Sequence, residues 1–407
     1  MANEPGGRGL TSITKLLFGD EHDGDALRYH DGAARMRDGV SKGRGPVVVW
    51  NMTRTCNLEC RHCYMSADGN AHNDELTTDE AKAFIDNLAD FNVPALLLSG
   101  GEPLLRPDVF ELASYASERG VRPTLSTNGT LITEEAARRI KEAGITYVGV
   151  SLDGLSDVND YFRRHDGAYD AAMRGIRNCV AAGQRVGLRF TINEHNILEL
   201  DKIFDFIERE NIERACFYHL VYAGRGEAMT HEDVTREESR RAMDTILRRA
   251  RDFERRGLKK EILTVDNHCD GIYMYLCAKR DGDEKLASHI MRHISMNGGN
   301  RSGIAFGAVD PTGNVHPDQF TQEHTFGNIR EKKFSEIWTE AADPIQAGLK
   351  DRKRLLKGRC ARCRFLDMCN GNFRARAEQA TGDYWESDPA CYLTDEEIGV
   401  MGEGEGA

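Results

Sequence analysis

The segment Asn51-Met-Thr-Arg-Thr-Cys56-Asn-Leu-Glu-Cys60-Arg-His-Cys63-Tyr64 carries three cysteines in a Cys-x3-Cys-x2-Cys spacing. It follows directly on a short apolar run from Val47 that is rich in β-branched residues, which predicts a strand. Three thiolates on one tight loop can bind three irons of a [4Fe–4S] cluster and leave the fourth iron open to another ligand. A zinc site with His62 as its fourth ligand is the alternative that the spacing leaves open.

The chain around this loop alternates short apolar runs with helical patterns. We expect helices at about 79–91, 107–119, 133–143, 169–182 and 199–210, and strands at 47–52, 95–99, 123–127, 147–152, 187–192 and 215–220. Strict alternation predicts parallel strands with right-handed crossovers. Six such units fit an α/β fold, a partial (β/α)6 barrel whose active site lies at the C-terminal ends of the strands.

Composition divides the chain into five parts. Residues 1–45 are Gly-rich and charged and are expected to form an N-terminal arm, with one amphipathic stretch around Ile13–Phe18. The barrel is expected over 46–258 and ends in a long charged helix pattern at about 235–257. We expect a connector at 259–303, which contains a short apolar run at 262–265, and a C-terminal domain at 304–398, which opens with a hairpin. Residues 399–407 are expected to be a disordered tail.

The overall charge and the cysteine usage narrow the class of protein. The chain has 54 Lys and Arg against 66 Asp and Glu, a formal net charge of −12, which argues against a nucleic-acid partner. It contains no run of about 18 apolar residues that could span a membrane. Its N-terminus lacks the basic start and apolar core of a signal peptide, so the eleven cysteines are expected to be reduced, in the cytoplasm.

A second set of cysteines lies near the C-terminus. Cys360, Cys363, Cys369 and Cys391 provide four thiolates, which form a closed ligand set for a zinc ion or a second [4Fe–4S] cluster. Their spacing does not decide between the two metals. The other four cysteines are isolated: Cys179 and Cys216 are expected to be packed thiols, and ligation by Cys269 or Cys277, which flank an aromatic patch, stays open.

Three further polar segments follow the second, third and fourth expected strands. They read Ser99-Gly-Gly-Glu-Pro103, Ser126-Thr-Asn-Gly129 and Ser151-Leu-Asp153-Gly. With the first cysteine loop, this order resembles the radical S-adenosylmethionine (SAM) superfamily over most of residues 47–220. Each segment alone is typical of a turn, and it is the four together that carry the resemblance.

The resemblance implies that a cluster on Cys56, Cys60 and Cys63 cleaves SAM to methionine and a 5′-deoxyadenosyl radical, which removes hydrogen from an unactivated carbon. It implies that Glu102 accepts a hydrogen bond from the SAM amino group. The full set of expected SAM contacts is His62, Gly100, Gly101, Glu102, Ser126, Asn128, Ser151 and Asp153.

The C-terminal spacing resembles the SPASM/twitch extension of the same superfamily, which implies that Cys360, Cys363, Cys369 and Cys391 bind an auxiliary [4Fe–4S] cluster. The chain departs from the full seven-cysteine pattern. Asp318 and Phe373 stand where cysteines of an inner auxiliary cluster are expected, so that only the outer cluster should remain.

Segments 25–29, 47–53, 265–268 and 313–320 resemble the tetrapyrrole-processing group of twitch-type radical SAM proteins. That group includes the 12,18-didecarboxysiroheme deacetylases (AhbC) and the haem d1 proteins (NirJ), and segment 25–29 favours the former. The resemblance implies an iron-tetrapyrrole substrate, conversion of two acetate side chains to methyls to give Fe-coproporphyrin III, and a flavodoxin or ferredoxin as electron donor. The alternatives are a NirJ-type enzyme acting on propionates and a SPASM peptide maturase.

Arginine side chains bind carboxylates with a planar fork of donors, so we expect arginines where such a substrate binds. Arg163, Arg164 and Arg189 lie near expected strand ends and are candidates, and a solvated charged loop is the plainer interpretation of the first two. His268 and His316 are candidate iron ligands or proton donors. Because the inner-cluster cysteines are missing, we expect open space beneath hairpin 304–320, with His316 and Arg189 facing a cavity that admits a flat tetrapyrrole.

Overall fold

The computed structural model describes residues 10–22, 25–29 and 45–400. In this part of the chain one sheet of eleven strands forms the centre of the molecule. Its strands are β1 (Leu10–Ser12), β2 (Val47–Asn51), β3 (Ala95–Ser99), β4 (Arg122–Thr127), β5 (Val148–Ser151), β6 (Val186–Ile192), β7 (Arg214–His219), β8 (Glu261–Val265), β9 (Phe306–Val309), β10 (Asn314–His316) and β11 (Gly327–Asn328). The spatial order is β1-β8-β7-β6-β5-β4-β3-β2-β9-β10-β11.

The helices of the described residues cover the outer face of the sheet or build the C-terminal domain. They are α1 (Ile13–Phe18), α2 (Asp25–Arg28), α3 (Thr78–Asp90), α4 (Val109–Glu118), α5 (Glu134–Glu142), α6 (Asp157–Arg163), α7 (Ala168–Ala181), α8 (Leu200–Arg209), α9 (Arg236–Arg255), α10 (Cys269–Arg280), α11 (Glu284–Asn297), α12 (Phe334–Glu340), α13 (Pro344–Lys350), α14 (Gly358–Arg362), α15 (Leu366–Cys369), α16 (Arg374–Thr381) and α17 (Asp395–Ile398). None of these is long and apolar enough to cross a membrane.

The partial barrel is confirmed. Strands β2 to β7 pair in parallel, each with the next in sequence, and every one lies within one residue of its expected bounds. All five residues of β2 are buried, because helices cover one face and the other faces the barrel interior. The expected hairpin is also confirmed, since β9 and β10 pair antiparallel, and β9 continues the sheet in parallel with β2.

The expected connector at 259–303 contains three regular elements, β8, α10 and α11. Residues 261–265 form β8, which pairs in parallel with β7 and adds a seventh strand to the parallel part of the sheet. Residues 284–297 form α11, which begins after Asp283, whose side chain accepts a hydrogen bond from the backbone of Leu286 at 2.9 Å. Its buried side chains, Ala287, Ile290 and Ile294, have helical spacing that the surrounding polar residues obscured in the sequence.

The described part of the expected arm belongs to the barrel wall. Strand β1 pairs antiparallel with β8, and α1 buries Ile13 and Leu16 completely. The fully buried Arg28 forms ion pairs with Asp25, at 2.9 Å, and with Glu261 of β8, at 2.7 Å. Strand β1 therefore covers the edge of the sheet at β8, and the ion pairs of Arg28 tie α2 to the same strand. Residues 1–9 and 30–44, like most of the expected tail (401–407), lie outside the described residues.

Candidate active site

A cavity lies at the C-terminal ends of the parallel strands, where the barrel predicts an active site. One end is lined by Cys56, Cys60 and Cys63, and the other by aromatic and arginine side chains beneath the C-terminal domain. Its volume is about 250 Å³, less than SAM and a tetrapyrrole occupy together. Space for a macrocycle beside SAM therefore stays a prediction.

The cysteine loop is held in place by backbone contacts on both sides. The Cys56 amide donates to the carbonyl of Asp68 at 2.6 Å, and the Arg225 side chain donates to the carbonyl of Cys60 at 2.8 Å. Burial raises the pKa of the Cys56 thiol to about 12 and also raises the pKa of Cys60. These thiols line one cavity, and as anions they would repel one another. Such a group is typical of a metal site, where bound iron replaces the thiol protons.

The zinc alternative for this loop does not fit the geometry. In a tetrahedral site the thiolate sulfurs lie about 3.8 Å apart, as follows from zinc–sulfur bonds of about 2.3 Å. In neither cysteine set do the sulfurs all lie within 4.8 Å of one another. Among the described residues, only the ligand atoms of Glu194, His195 and Glu232 do so. The proposed fourth ligand, His62, instead places its Nε2 at 3.1 Å from Asp153. Sulfurs that lie further apart than in a zinc site suit a four-iron cluster, whose thiolates bind different irons.

Arg163 and Asp153 form a buried ion pair beside the cysteines. One amino group of Arg163 donates to the Cys60 sulfur at 3.3 Å, and the other pairs with the Asp153 carboxylate. This guanidinium and His62 hold the pKa of Asp153 well below its usual range, against the effect of burial. Arg163 therefore contacts a cluster ligand, and since it also lines the cavity, its expected contact with substrate stays a prediction. Arg164 is exposed and lies outside the cavity, so its expected substrate role is wrong.

The glycines after β3 allow two loops to cross in close contact. Gly100 has a φ of +131°, and a Cβ at this position would lie 2.5 Å from the carbonyl oxygen of Thr53. A Cβ on Gly101 would lie 2.3 Å from the carbonyl oxygen of Thr55. Any side chain here would push the cysteine loop away, so both glycines are needed to form this end of the cavity.

Glu102 is fully buried behind the cavity wall rather than exposed in it. Its carboxylate accepts hydrogen bonds from the Thr127 hydroxyl at 2.8 Å and from the backbone amides of Asn128, at 2.9 Å, and Leu104, at 3.1 Å. Burial raises its pKa. The structure assigns Glu102 to holding the turn after β4, and its contact with the SAM amino group remains a prediction.

The far end of the cavity contains the arginine that is placed to meet a carboxylate. Arg189 of β6 donates to the Ser126 hydroxyl at 2.8 Å, and its Nε atom is buried without a hydrogen-bond partner. Its side chain lies across Gly149, where a Cβ would come within 2.3 Å of Nε. Cys216, expected to be a packed thiol, lies in this cavity wall. Ser126, expected to contact SAM, thus also positions Arg189.

Aromatic side chains fill the place of the missing inner cluster. Phe373 and Phe320 lie with ring centroids 5.4 Å apart, and Phe320 lies 5.1 Å from the ring of Tyr64. All three line the cavity. Asp318, at the other expected cysteine position, instead accepts hydrogen bonds from the backbone amides of Phe320 and Thr321. One wall of the cavity is therefore aromatic where related proteins are expected to hold a metal.

Neither candidate histidine lines the cavity. His316 is buried in the hairpin, with Nδ1 at 3.0 Å from the carbonyl of His324 and Nε2 at 3.5 Å from Asp310. His268 is buried beside Asn372, and burial lowers its pKa to about 4, so that it is neutral at physiological pH. The expectation that these residues face an iron tetrapyrrole is wrong, because both point into the protein interior.

The second cysteine set forms its own small cavity. Cys360, Cys363, Cys369 and Cys391 line it, as four ligands of one metal group should. A fifth thiol, Cys269 at the start of α10, lines the same cavity, and its hydrogen bond to Cys391 lowers the pKa of Cys391 to about 7. Cys277 is not part of this site and accepts a hydrogen bond from Arg280 at 3.4 Å. The helical position of Cys269 in a region we took for a connector concealed this contact.

Comparison with known families agrees with both halves of this arrangement. The sequence profile of the Radical SAM superfamily matches residues 50–207, which include the first cysteine loop and strands β3 to β6. The profile of the SPASM iron–sulfur cluster-binding domain matches residues 306–364, from β9 through Cys360 and Cys363.

Curated relatives cover nearly the whole chain. An Fe-coproporphyrin III synthase of Methanosarcina barkeri is 53% identical over 96% of this chain and 99% of its own length. A pre-heme d1 synthase of Dinoroseobacter shibae is 44% identical over 91% of each chain. An AdoMet-dependent heme synthase of Methanosarcina barkeri is 36% identical over 85% of this chain and 95% of its own.

Solved structures share the fold at low sequence identity. Streptococcus suis SuiB bound to S-adenosylmethionine superposes with a TM-score of 0.67 at 16% identity, over 86% of this chain and 78% of that one. Native anSMEcpe with bound AdoMet and a peptide gives a TM-score of 0.65 at 17% identity, over 87% and 95%.

Proposed function

Because this chain belongs to the radical SAM superfamily, we propose that it acts on an iron tetrapyrrole and removes the two acetate side chains of 12,18-didecarboxysiroheme, giving Fe-coproporphyrin III. The observation that carries the proposal is the single cavity that joins the cysteine loop to Arg189 and the aromatic wall. A radical formed at one end of that cavity is within reach of a ligand held at the other.

The cofactors follow from the two cysteine sets. Cys56, Cys60 and Cys63 would hold a [4Fe–4S] cluster, which would supply the electron for reductive cleavage of SAM. The C-terminal cysteines bind a second iron–sulfur cluster. The other residues of the site position, shield and bind, as is usual where a cofactor carries the difficult chemistry.

The chain's own groups set the conditions at the first cluster. Arg163 places a positive charge against the Cys60 sulfur and favours the thiolate that iron requires. Glu102 fixes the turn that carries Asn128, whose side-chain amide lies 4.0 Å from the Cys56 sulfur. Tyr64, whose hydroxyl donates to Asn51 at 2.9 Å, lines the cavity next to Cys63.

The far end of the cavity suits a flat, anionic macrocycle. Aromatic faces of Tyr64, Phe320 and Phe373 offer contacts to a porphyrin-like ring. Arg189 lines the cavity, and an arginine binds a carboxylate with a fixed fork of donors. A tetrapyrrole combines an apolar ring with carboxylate side chains and so matches both features.

A second candidate function is the NirJ type, in which propionates of the same tetrapyrrole are altered. The 44% identity to a pre-heme d1 synthase over 91% of the chain supports it. The two functions share the cofactors and the cavity and differ in which side chain reaches the radical, so that product analysis separates them.

The test is anaerobic incubation of the reconstituted protein with SAM, reductant and 12,18-didecarboxysiroheme, followed by mass spectrometry of the tetrapyrrole. Loss of both acetates, with Fe-coproporphyrin III as product, supports the proposal. Loss of propionate groups supports the NirJ-type function instead, and an unchanged tetrapyrrole with continuing SAM cleavage contradicts both. The variant with Cys56, Cys60 and Cys63 changed to Ala is the control and should give no product.

The electron donor and the cellular compartment are also part of this proposal. We expect the physiological electron donor to be a flavodoxin or ferredoxin, because a low-potential single electron is needed for each SAM cleaved. We also expect the protein to work in the cytoplasm, where reduced cysteines and clusters persist.

A further inference from the structure

Asp266 is the first residue after β8 and lies in the wall of the cavity at the C-terminal end of that strand. It is only 5% exposed, and its Oδ2 atom is buried with no hydrogen-bond partner among the described residues. A buried carboxyl oxygen without a donor costs free energy, and such groups are rare in folded proteins. No step assigned so far uses this carboxyl.

The backbone at Asp266 is held in an unfavourable conformation. Its φ is +65°, in the left-handed region that L-residues seldom adopt, asparagine and aspartate being the most frequent exceptions. The fully buried Arg376 donates to the Asp266 carbonyl and forms an ion pair with Asp388 at 2.9 Å. This buried network holds the turn, so the side chain keeps its place in the cavity wall.

Charged groups on four neighbouring elements face Asp266. Burial, with repulsion from Asp318, raises its pKa to about 7 against the opposing attraction of Arg376, His219 and Arg189. His219 is itself paired with the buried Asp270 at 3.1 Å. Near neutral pH the carboxyl therefore holds a proton much of the time and can act as a hydrogen-bond donor.

We propose that the protonated carboxyl of Asp266 donates a hydrogen bond to a carboxylate side chain of the tetrapyrrole, forming with Arg189 a carboxylate-binding subsite. The subsite rests on the proposed function, because it assumes a tetrapyrrole in this cavity. A bound carboxylate shares the proton of Asp266, as two close carboxyl groups do when only one can ionise.

The test uses Fe-coproporphyrin III as the probe, titrated anaerobically into the reconstituted holoprotein while the porphyrin absorbance is followed. Two variants separate the roles of the side chain. Asp266→Asn keeps a neutral donor and tolerates a positive φ, and Asp266→Gly removes the side chain without adding backbone strain. Asp233→Asn is the matched control, since burial raises the pKa of Asp233 but its carboxylate binds Tyr222 outside the cavity.

At about pH 6, roughly one unit below the Asp266 pKa, the wild type and Asp266→Asn should bind alike, and Asp266→Gly roughly tenfold more weakly. At about pH 8.5 the ionised Asp266 repels the probe, so wild-type affinity should fall roughly tenfold while Asp266→Asn does not change. The Asp233→Asn control should follow the wild type.

Equal affinities for all variants at both pH values would overturn the subsite while leaving the proposed function intact. The subsite would also be overturned if Asp266→Asn kept the wild-type pH dependence of binding, because that dependence would then belong to His219 or another group. Failure of the wild type to bind the porphyrin at either pH would instead count against the proposed function. Unchanged iron content in each variant verifies that it is folded.

Discussion

Arg163 and Arg164 are adjacent in sequence but differ in their surroundings, which allows a controlled test of the first cluster site. Arg163 lies 3.3 Å from the Cys60 sulfur and is buried, whereas Arg164 is exposed. We predict that Arg163→Gln lowers the reduction potential of the SAM-cleaving cluster. The substitution removes a positive charge that stabilises the electron added on reduction. Arg164→Gln should leave the potential unchanged.

The magnitude follows from the contact distance. A unit charge at 3.3 Å contributes about 5 kcal/mol at an effective dielectric constant near 20. The Asp153 carboxylate, paired with the same guanidinium, cancels roughly half of this at the cluster. The remaining 2–3 kcal/mol, roughly, correspond to about 100 mV for a one-electron couple.

The assay is an anaerobic redox titration followed by electron paramagnetic resonance, which separates the two clusters by their signals. Asp153→Asn should shift the potential upwards, because it removes a negative charge and leaves Arg163 in place. Potentials of Arg163→Gln and Arg164→Gln that agree within about 20 mV would refute the assignment of Arg163 to the cluster.

The remaining predictions concern other parts of the site. Glu102→Gln should lower the free energy of unfolding by about 1–3 kcal/mol in denaturant titrations, because the amide cannot accept both backbone N–H donors; SAM affinity should fall with iron content unchanged. Phe373→Leu should weaken Fe-coproporphyrin III binding about fivefold without changing substrate-free SAM cleavage, and Phe365→Leu, outside the cavity, should not. Cys269→Ser should keep about eight irons per chain, whereas Cys391→Ser should lose up to about four.

The barrel could be predicted because the sequence pattern of each segment agrees with the element that it forms in the structure. Each parallel strand from β2 to β7 is a short apolar run followed by a helical pattern, and the polar segments stand at strand ends. Strand β8 carried the same apolar signal, but the long helix before it suggested that the barrel had ended. That misjudgement also concealed Asp266 and Cys269, whose roles depend on this strand belonging to the sheet.

The cysteines could be located from spacing, but the remaining site residues could not be assigned from type and position alone. Arg163 and Arg164 look equivalent in the sequence, and only the turn at the end of α6 buries one and exposes the other. His316 was expected in the cavity because it stands near a missing cysteine, yet the hairpin directs it towards Asp310. Strand register and loop packing decide such orientations, and no local pattern reports them.

The most direct test of the account follows hydrogen from substrate to cofactor. The reconstituted protein is incubated with SAM, reductant and 12,18-didecarboxysiroheme deuterated in its two acetate side chains, and the 5′-deoxyadenosine is analysed by mass spectrometry. If the radical formed at Cys56, Cys60 and Cys63 acts on the tetrapyrrole in the same cavity, the 5′-deoxyadenosine should carry deuterium in step with Fe-coproporphyrin III formation. Product formation with unlabelled 5′-deoxyadenosine would contradict the account.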